Sequence, residues 1–448
     1  MRGALTVSKM MIKNFLLPRG TADILPQEIA RWHELEQKAR IVCKNYGYRE
    51  IRTPAFEETE LFARSVGQTS DIVQKQLLSL ASQKEGDGSN SPLSLRPEGT
   101  ASIVRAYLQH NFIQTEPISK FYYLGPMFRG ERPQKGRLRQ FHQLGVELIG
   151  PAKQNEDLNL AFLDAEVIGL CVQLLRSFGV KGFKVKINTL GTPQDKQAFS
   201  SYLRKVLKED LKSLAEEDQK RFSENIFRIL DSKKKECQQI VKKIDFAKGN
   251  YLSDFSQKYF EKAKSALRDL RIDFEEVPYL VRGLDYYNHI VFEISHEALG
   301  SQDALAAGGR YDTLVQQLGA DPQTPFSALG FAIGIERVLL VADQPATPTA
   351  EVNVFVLAMD EKFLQPAFCL VNELRQAGIS ADVNYQLGSI KSQMRLANKR
   401  GAKQVVIFGE EEMKEQAVSV KDMEHGQQNK IVLNQVVDYL SKIFIKKG

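Results

Sequence analysis

The chain has 448 residues, of which 43% are hydrophobic and 26% charged, and its formal net charge is +6. That length gives about two to four domains with ample cores, and no apolar run approaches the roughly 18 to 20 residues of a membrane helix. The positive balance weakly favours a polyanionic partner.

The first 22 residues carry Arg2, Lys9, Lys13 and Arg19 and no acid. Residues 1–16 read as an extended start or a disordered leader, a transit peptide being the alternative. LPRGTADILP (Leu17 to Pro26) is turn-rich. Pro26 then opens a helix with Trp32, Leu35, Ala39, Val42 and Tyr46 at helical spacing, ending at Gly47. YREIRTPAFEETELFARSVG predicts a short strand to Thr53, a bend at Pro54 and a helix, since proline cannot donate to a ladder. ASQKEGDGSNSP (81–92) is a polar loop.

LSLRPEGTASIVRAYLQH predicts a strand, a turn at Pro97 and Gly99, and a helix capped by Thr100. Glu98 and Thr100 at that strand end either serve the turn alone or hold a ligand ammonium. Phe121 to Gly150 follows as two apolar runs around a polar loop, the form of an antiparallel hairpin. Its loop sets Arg129, Arg132, Lys135, Arg137 and Arg139 against the single acid Glu131. Arginine grips phosphate oxygens in pairs where lysine offers a point charge. The loop is therefore either a solvated charged tip or a seat for a polyphosphate or nucleic-acid end.

From about Lys181 the character changes, and residues 191–270 read as a lysine-rich helical insertion. Strands return with VPYLVRGLDYYNHIVFEIS. There Arg282 sits in a strand-like apolar run and needs a partner, either Asp285 or a ligand carboxylate or phosphate. Tyr286 and Tyr287 can line one pocket only if the strand bends, which Gly283 permits. ALAAGGRYDTLVQQLG adds Gly308 and Gly309 before Arg310 and Tyr311. ALGFAIGIERVLLVA predicts a strand with Gly330 and Gly334, then a helix near Ile335. Arg337 in its first turn opposes the helix dipole, a cost that a bound polyphosphate would offset.

Residues 341–350 have linker composition. From Val352 strands and helices alternate, which predicts a small, mostly parallel α/β sheet. Its helix at 389–400 puts Lys391, Arg395 and Lys399 on one face, either as a solvated stripe or for nucleic-acid contact. The four cysteines, Cys43, Cys171, Cys237 and Cys369, show no zinc spacing and read as reduced, mostly buried thiols of a cytosolic protein.

RTPAFEETELF, LRPEGT, FRGERPQ, RQFHQLGVE, RGLDYYNHIVFE, AGGRYD and GFAIGIER occur in one order along the chain. Together they resemble the bacterial-type histidyl-tRNA synthetases, a class II aminoacyl-tRNA synthetase family. RGLDYY and AGGRYD are the part specific to histidine. Gly130 stands where the family often has a larger residue, and Asn288-His289 follows the tyrosine pair. Neither departure removes a site group.

The resemblance implies an α+β catalytic domain on a mostly antiparallel sheet (17–190 and 271–340), interrupted by the helical insertion. A C-terminal α/β anticodon-binding domain (351–448) follows. It implies a cytoplasmic homodimer that ligates L-histidine to its tRNA through an adenylate. ATP arrives with magnesium, and no metal is held by the protein. By matching motif, Arg129 and Arg282 would be the catalytic pair on the α-phosphate. Glu131 and Phe141 would take adenine, and Arg137 and Arg337 the distal phosphates. Glu98, Gly99, Thr100 and Gln143 would surround the histidine ammonium. Glu147 and Tyr287 would bond the imidazole nitrogens, with Tyr286 closing the pocket. Gln134 would face the tRNA acceptor end, and Lys391, Arg395 and Lys399 would contact tRNA. The alternative is an inactive synthetase-like regulatory or tRNA-sensing protein.

Overall fold

The computed structural model describes residues 15–67, 70, 72–81, 91–134, 136–152, 157–284, 286–343 and 352–445. The leader, the 81–92 loop and the 341–350 linker fall wholly or mostly outside these residues, as do Lys135 and Asp285. Two compact units result, Met1–Asp343 and Gln344–Gly448. No helix among the described residues is long and apolar enough to cross a membrane.

The first unit is built on an eight-stranded sheet. Its order is Arg49–Glu50, Ser119–Phe128, Gln140–Pro151, Phe326–Gly334, Ala304–Arg310, Asn288–Ser295, Lys184–Thr189 and Glu275–Glu276. The sheet is antiparallel except at its two short edge strands. Ser119–Phe128 and Gln140–Pro151 are the predicted hairpin, with Phe121 opposite Glu147. Helices Pro26–Asn45, Leu160–Ser177 and Asp254–Asp269 cover one face through residues such as Trp32, Cys171 and Leu267. Helix Thr100–Gln109 and helices from 193 to 242 cover the other, through Tyr107, Phe199 and Ile240. The stretch 191–270 is helical as expected, yet its last helix, Asp254–Asp269, packs in the same core as the sheet.

Three local expectations change. The strand expected to reach Thr53 ends at Glu50, because the buried Arg96 takes the carbonyls of Thr53 and Pro54 (2.9 and 3.3 Å). A short strand, Phe56–Glu58, then precedes helix Thr59–Val66. Arg282 does not lie in a strand, since pairing begins only at Asn288. The amide of Asn188 instead takes the carbonyls of Pro278 and Leu280 (3.0 and 2.9 Å), so that segment is held by a side chain rather than a ladder. Thr100 does not cap its helix. The Glu98 carboxylate accepts from the N–H groups of Thr100 and Ala101 (2.6 and 3.0 Å), which occupies two donors that an N-terminal turn leaves without helical partners.

The second unit is a five-stranded sheet in the order Ala381–Val383, Val354–Ala358, Gln404–Phe408, Ala417–Asp422, Gln428–Val432. Its first three strands are parallel and the last two pair antiparallel, so the sheet is mixed where a mostly parallel one was expected. Helices Leu364–Gln376 and Val436–Phe444 pack on one face and Ile390–Lys399 on the other.

Candidate active site

The sheet, the hairpin mouth and the segment before Asn288 enclose a cavity of about 620 Å³. Glu98, Thr100, Arg129, Glu131, Arg137, Phe141, Gln143, Arg282, Tyr286, Tyr287 and Arg337 all line it. Residues from five separated motifs thus reach one concave surface of a size that suits a small ligand.

One part of the wall is cationic. Arg129 donates through Nε to the Pro97 carbonyl (2.9 Å), and its guanidinium stands 5.2 Å from the centre of the Phe141 ring. Burial, with the like charges of Arg137 and Arg282, brings Arg129 down to about 10 against the pull of Glu98. Burial and the neighbouring Arg137 and Arg129 lower Arg337 as well. An anion bound here would relieve that repulsion. Arg337 donates to the carbonyls of Gly136 and Ala304 (3.0 and 2.7 Å), which ties the hairpin mouth to the start of strand Ala304–Arg310, two places along the sheet. Arg137 pairs with Glu131, and Arg132 points to solvent.

Arg282 forms its ion pair with Glu293 at 2.7 Å. Burial acts to lower its pKa, but Glu293, Tyr287 and Asp231 together carry it above the usual arginine value. The expected partner Asp285 lies outside the described residues. Asp231 belongs to the helical insertion and also lines the cavity, a member that no sequence pattern singles out.

The other part of the wall is built on Glu147. Thr100 donates its hydroxyl to Glu147 Oε1 at 2.7 Å, and the Tyr311 hydroxyl donates to Oε2. Glu147 itself lies just behind the lining residues. Burial pushes its carboxyl up to about 8, against the hydrogen bonds from Tyr311 and Thr100. Gly330 opposite leaves the room this requires, since a Cβ there would stand 2.1 Å from Glu147 Oε2. Gly99 plays the same part for Tyr123, whose ring a Cβ would meet at 2.3 Å, and is not among the lining residues. Among the described residues the Gln143 amide oxygen has no hydrogen-bond partner, so it can accept from a ligand. The rings of Tyr286 and Tyr287 lie 4.6 Å apart, and Tyr286 meets Tyr311 edge-on at 5.5 Å.

Sequence reasoning alone gives Tyr311 and Tyr123 no role. The only signal for Tyr311 is its place in AGGRYD, beside Arg310. That arginine is wholly buried against Asp164 and Ser327 and serves the core.

Gln134 is exposed in the hairpin mouth and pairs through its backbone with Arg137. In the second unit Gln393 and Ala397 face inward from helix Ile390–Lys399, while Lys391, Arg395 and Lys399 are exposed on the opposite side. No group of three or more His, Cys, Asp or Glu side chains among the described residues could hold a metal ion.

Residues 20–338 match the family described as histidyl-tRNA synthetase, and residues 352–443 the anticodon binding domain. The chain is 43% identical over 435 residues to a histidine–tRNA ligase of Geobacillus sp. (strain WCH70), covering 96% of this chain and 99% of that one. It is 43% identical over 429 residues to that of Moorella thermoacetica, covering 95% and 98%. Among solved structures, the apo histidyl-tRNA synthetase of S. aureus superposes with a TM-score of 0.74 at 32% identity, covering 95% of this chain and 99% of that one.

Proposed function

Since the chain belongs to the histidyl-tRNA synthetase family, we propose that its cavity activates L-histidine with ATP and passes the product to the 3′ end of the histidine tRNA. The observation that carries this reading is the meeting, in one cavity, of a cationic wall and a tyrosine–carboxylate wall.

In the first step an oxygen of the histidine carboxylate attacks the α-phosphorus of ATP. The bond to the bridging oxygen breaks, and its electron pair leaves on pyrophosphate. Such a transfer needs in-line placement and charge stabilisation more than covalent catalysis. Arg129 and Arg282 grip the α-phosphate and the attacking carboxylate. Their partial burial strengthens the field they exert and reduces reorganisation as charge shifts. Phe141 stacks on adenine, Glu131 accepts from its amino group, and Arg137 and Arg337 hold the outer phosphates. Magnesium accompanies ATP as part of the substrate. In the second step a ribose hydroxyl of the tRNA attacks the adenylate carbonyl, and AMP departs.

Selectivity rests on the other wall. Glu98, Thr100 and Gln143 receive the substrate ammonium. Glu147 and Tyr287 bond the two imidazole nitrogens, and Tyr286 closes over the ring. A side chain unable to satisfy both ends leaves buried polar groups unpaired, which supports strong rejection. Gln134 meets the acceptor end, and Lys391, Arg395 and Lys399 meet tRNA phosphates.

A cytoplasmic homodimer formed through the segment from Tyr48 to Gly67 completes the reading. The exposed Phe56 in that segment is apolar surface such an interface would cover. The regulatory alternative has no observation in its favour, since Arg129, Arg282 and Arg337 are all retained.

Arg282→Ala tests the assignment. It should cut histidine-dependent ATP–pyrophosphate exchange by more than about 100-fold while tRNA affinity stays within about threefold. Full exchange in the variant, or equal loss of both properties, would overturn the role given to Arg282.

A further inference from the structure

The histidine wall depends on how the segment carrying Tyr286 and Tyr287 is held, and one of its anchors lies 91 residues away. Lys196 donates from Nζ to the Tyr287 carbonyl at 2.9 Å. The sequence around both residues explains why a side chain serves there. Backbone pairing between the two segments continues past the strand ends: Leu190 N–H donates to the His289 carbonyl, and His289 N–H to that of Gly191, both at 2.7 Å. It then fails. Thr192 gives its N–H to Asp195 Oδ2 (2.9 Å) in a capping box, and Pro193 has no N–H to give. The Tyr287 carbonyl therefore receives no backbone donor from that segment, and the half-buried Lys196 reaches it from the first turn of helix Pro193–Val206. A cation in a first turn works against the helix dipole, so this lysine sits where local propensity disfavours it.

We propose that Lys196 is a positioning residue for histidine recognition, holding the Tyr287 carbonyl so that both pocket tyrosines keep their place. This rests on the reading of Tyr286 and Tyr287 as the imidazole wall. The peptide between Tyr287 and Asn288 is fixed from both sides. Lys196 holds its carbonyl, and the Asn288 side chain exchanges hydrogen bonds with Asp312 (3.1 and 3.3 Å). On its inner side the Tyr287 ring rests against Gly309, where a Cβ would stand 3.0 Å from Tyr287 Cδ1. Releasing the carbonyl lets this peptide rotate and moves the ring away from Glu147. The same first turn is fastened to the far end of the insertion, since Asp195 accepts from the N–H of Ser253 (2.9 Å) and the hydroxyls of Ser253 and Ser256. Lys196 thus links the base of the helical insertion to the amino-acid pocket.

The test is ATP–pyrophosphate exchange by full-length wild type, Lys196→Met and Lys196→Arg, with separate KM values for histidine and ATP. Lys196→Met should raise the histidine KM about tenfold, the worth of a lost charge-assisted hydrogen bond, and leave the ATP KM within about twofold. Lys196→Arg, which keeps a charged donor, should return the histidine KM to within about threefold of wild type. An unchanged histidine KM in Lys196→Met, or a parallel rise in both KM values with no rescue by arginine, overturns the proposal. If Lys196→Met does not fold, Lys196→Gln takes its place beside Lys196→Arg, and the same KM changes support or overturn the proposal. Absence of histidine-dependent exchange in wild type would instead refute the pocket reading itself.

Discussion

Replacing Glu147 by glutamine should change how stability depends on pH, in an amount that follows from the site. Burial holds this carboxyl up at about 8, whereas an unfolded chain titrates it near the ordinary value of 4.5. Between those values the folded protein keeps a proton that the unfolded chain releases. Stability from this group is therefore fully present below the unfolded value and is lost as pH rises through the folded one. One group contributes a slope of about 1.4 kcal/mol per pH unit inside that window, so from about pH 5.5 to about pH 7.5 the loss is about 2.5 kcal/mol. Glutamine is close in shape, keeps an oxygen for Thr100 or Tyr311, and has no proton to release. The difference in unfolding free energy, wild type minus Glu147→Gln, should fall by about 2.5 kcal/mol over that range. Guanidinium titrations followed by fluorescence can read it cleanly, because the single tryptophan, Trp32, is buried in the unit that holds the site. Identical pH slopes in the two proteins would refute the claim that Glu147 is held neutral.

Gly330→Ala should destabilise the first unit by more than about 3 kcal/mol or abolish soluble folding, because overpacking here meets backbone. Its Cβ would stand 2.2 Å from the Val146 carbonyl, which cannot yield without parting the strands. A thermal melt matching wild type would contradict this. Changing Lys391, Arg395 and Lys399 together to glutamine should weaken tRNA binding and lower the slope of log affinity against log salt by about 2 to 3, with pyrophosphate exchange unchanged. Salt titrations of tRNA binding would detect this, and an unaltered slope would remove these residues from the interface.

Much of the site is legible in the sequence because its residues sit at element ends that announce themselves. Two apolar runs around an arginine-rich loop mark the hairpin that carries Arg129 and Glu147, and turn residues mark the strand end at Glu98. What escapes notice depends on side chains crossing the fold. Arg282 finds Glu293 only because its segment turns back beside the next strand. Glu98 takes the capping task expected of Thr100, and Thr100 turns its hydroxyl to Glu147. A capping pattern names the residues near a helix start but not which carboxylate or hydroxyl reaches the free N–H groups. Lys196 and Asp231 lie in a helical stretch whose composition looks like ordinary solvated surface, and only the tertiary fold brings them to the pocket. The mixed sheet of the second unit is hidden for a similar reason, since strand order and direction are set by pairing that alternation does not encode.

The most direct test of the proposed activity is ATP–pyrophosphate exchange by the purified protein, with each proteinogenic amino acid supplied in turn and no tRNA present. Histidine alone should support exchange if Glu147 and Tyr287 bond the two imidazole nitrogens as proposed. Exchange with a different amino acid, or none with any amino acid from folded protein saturated with ATP, would contradict it.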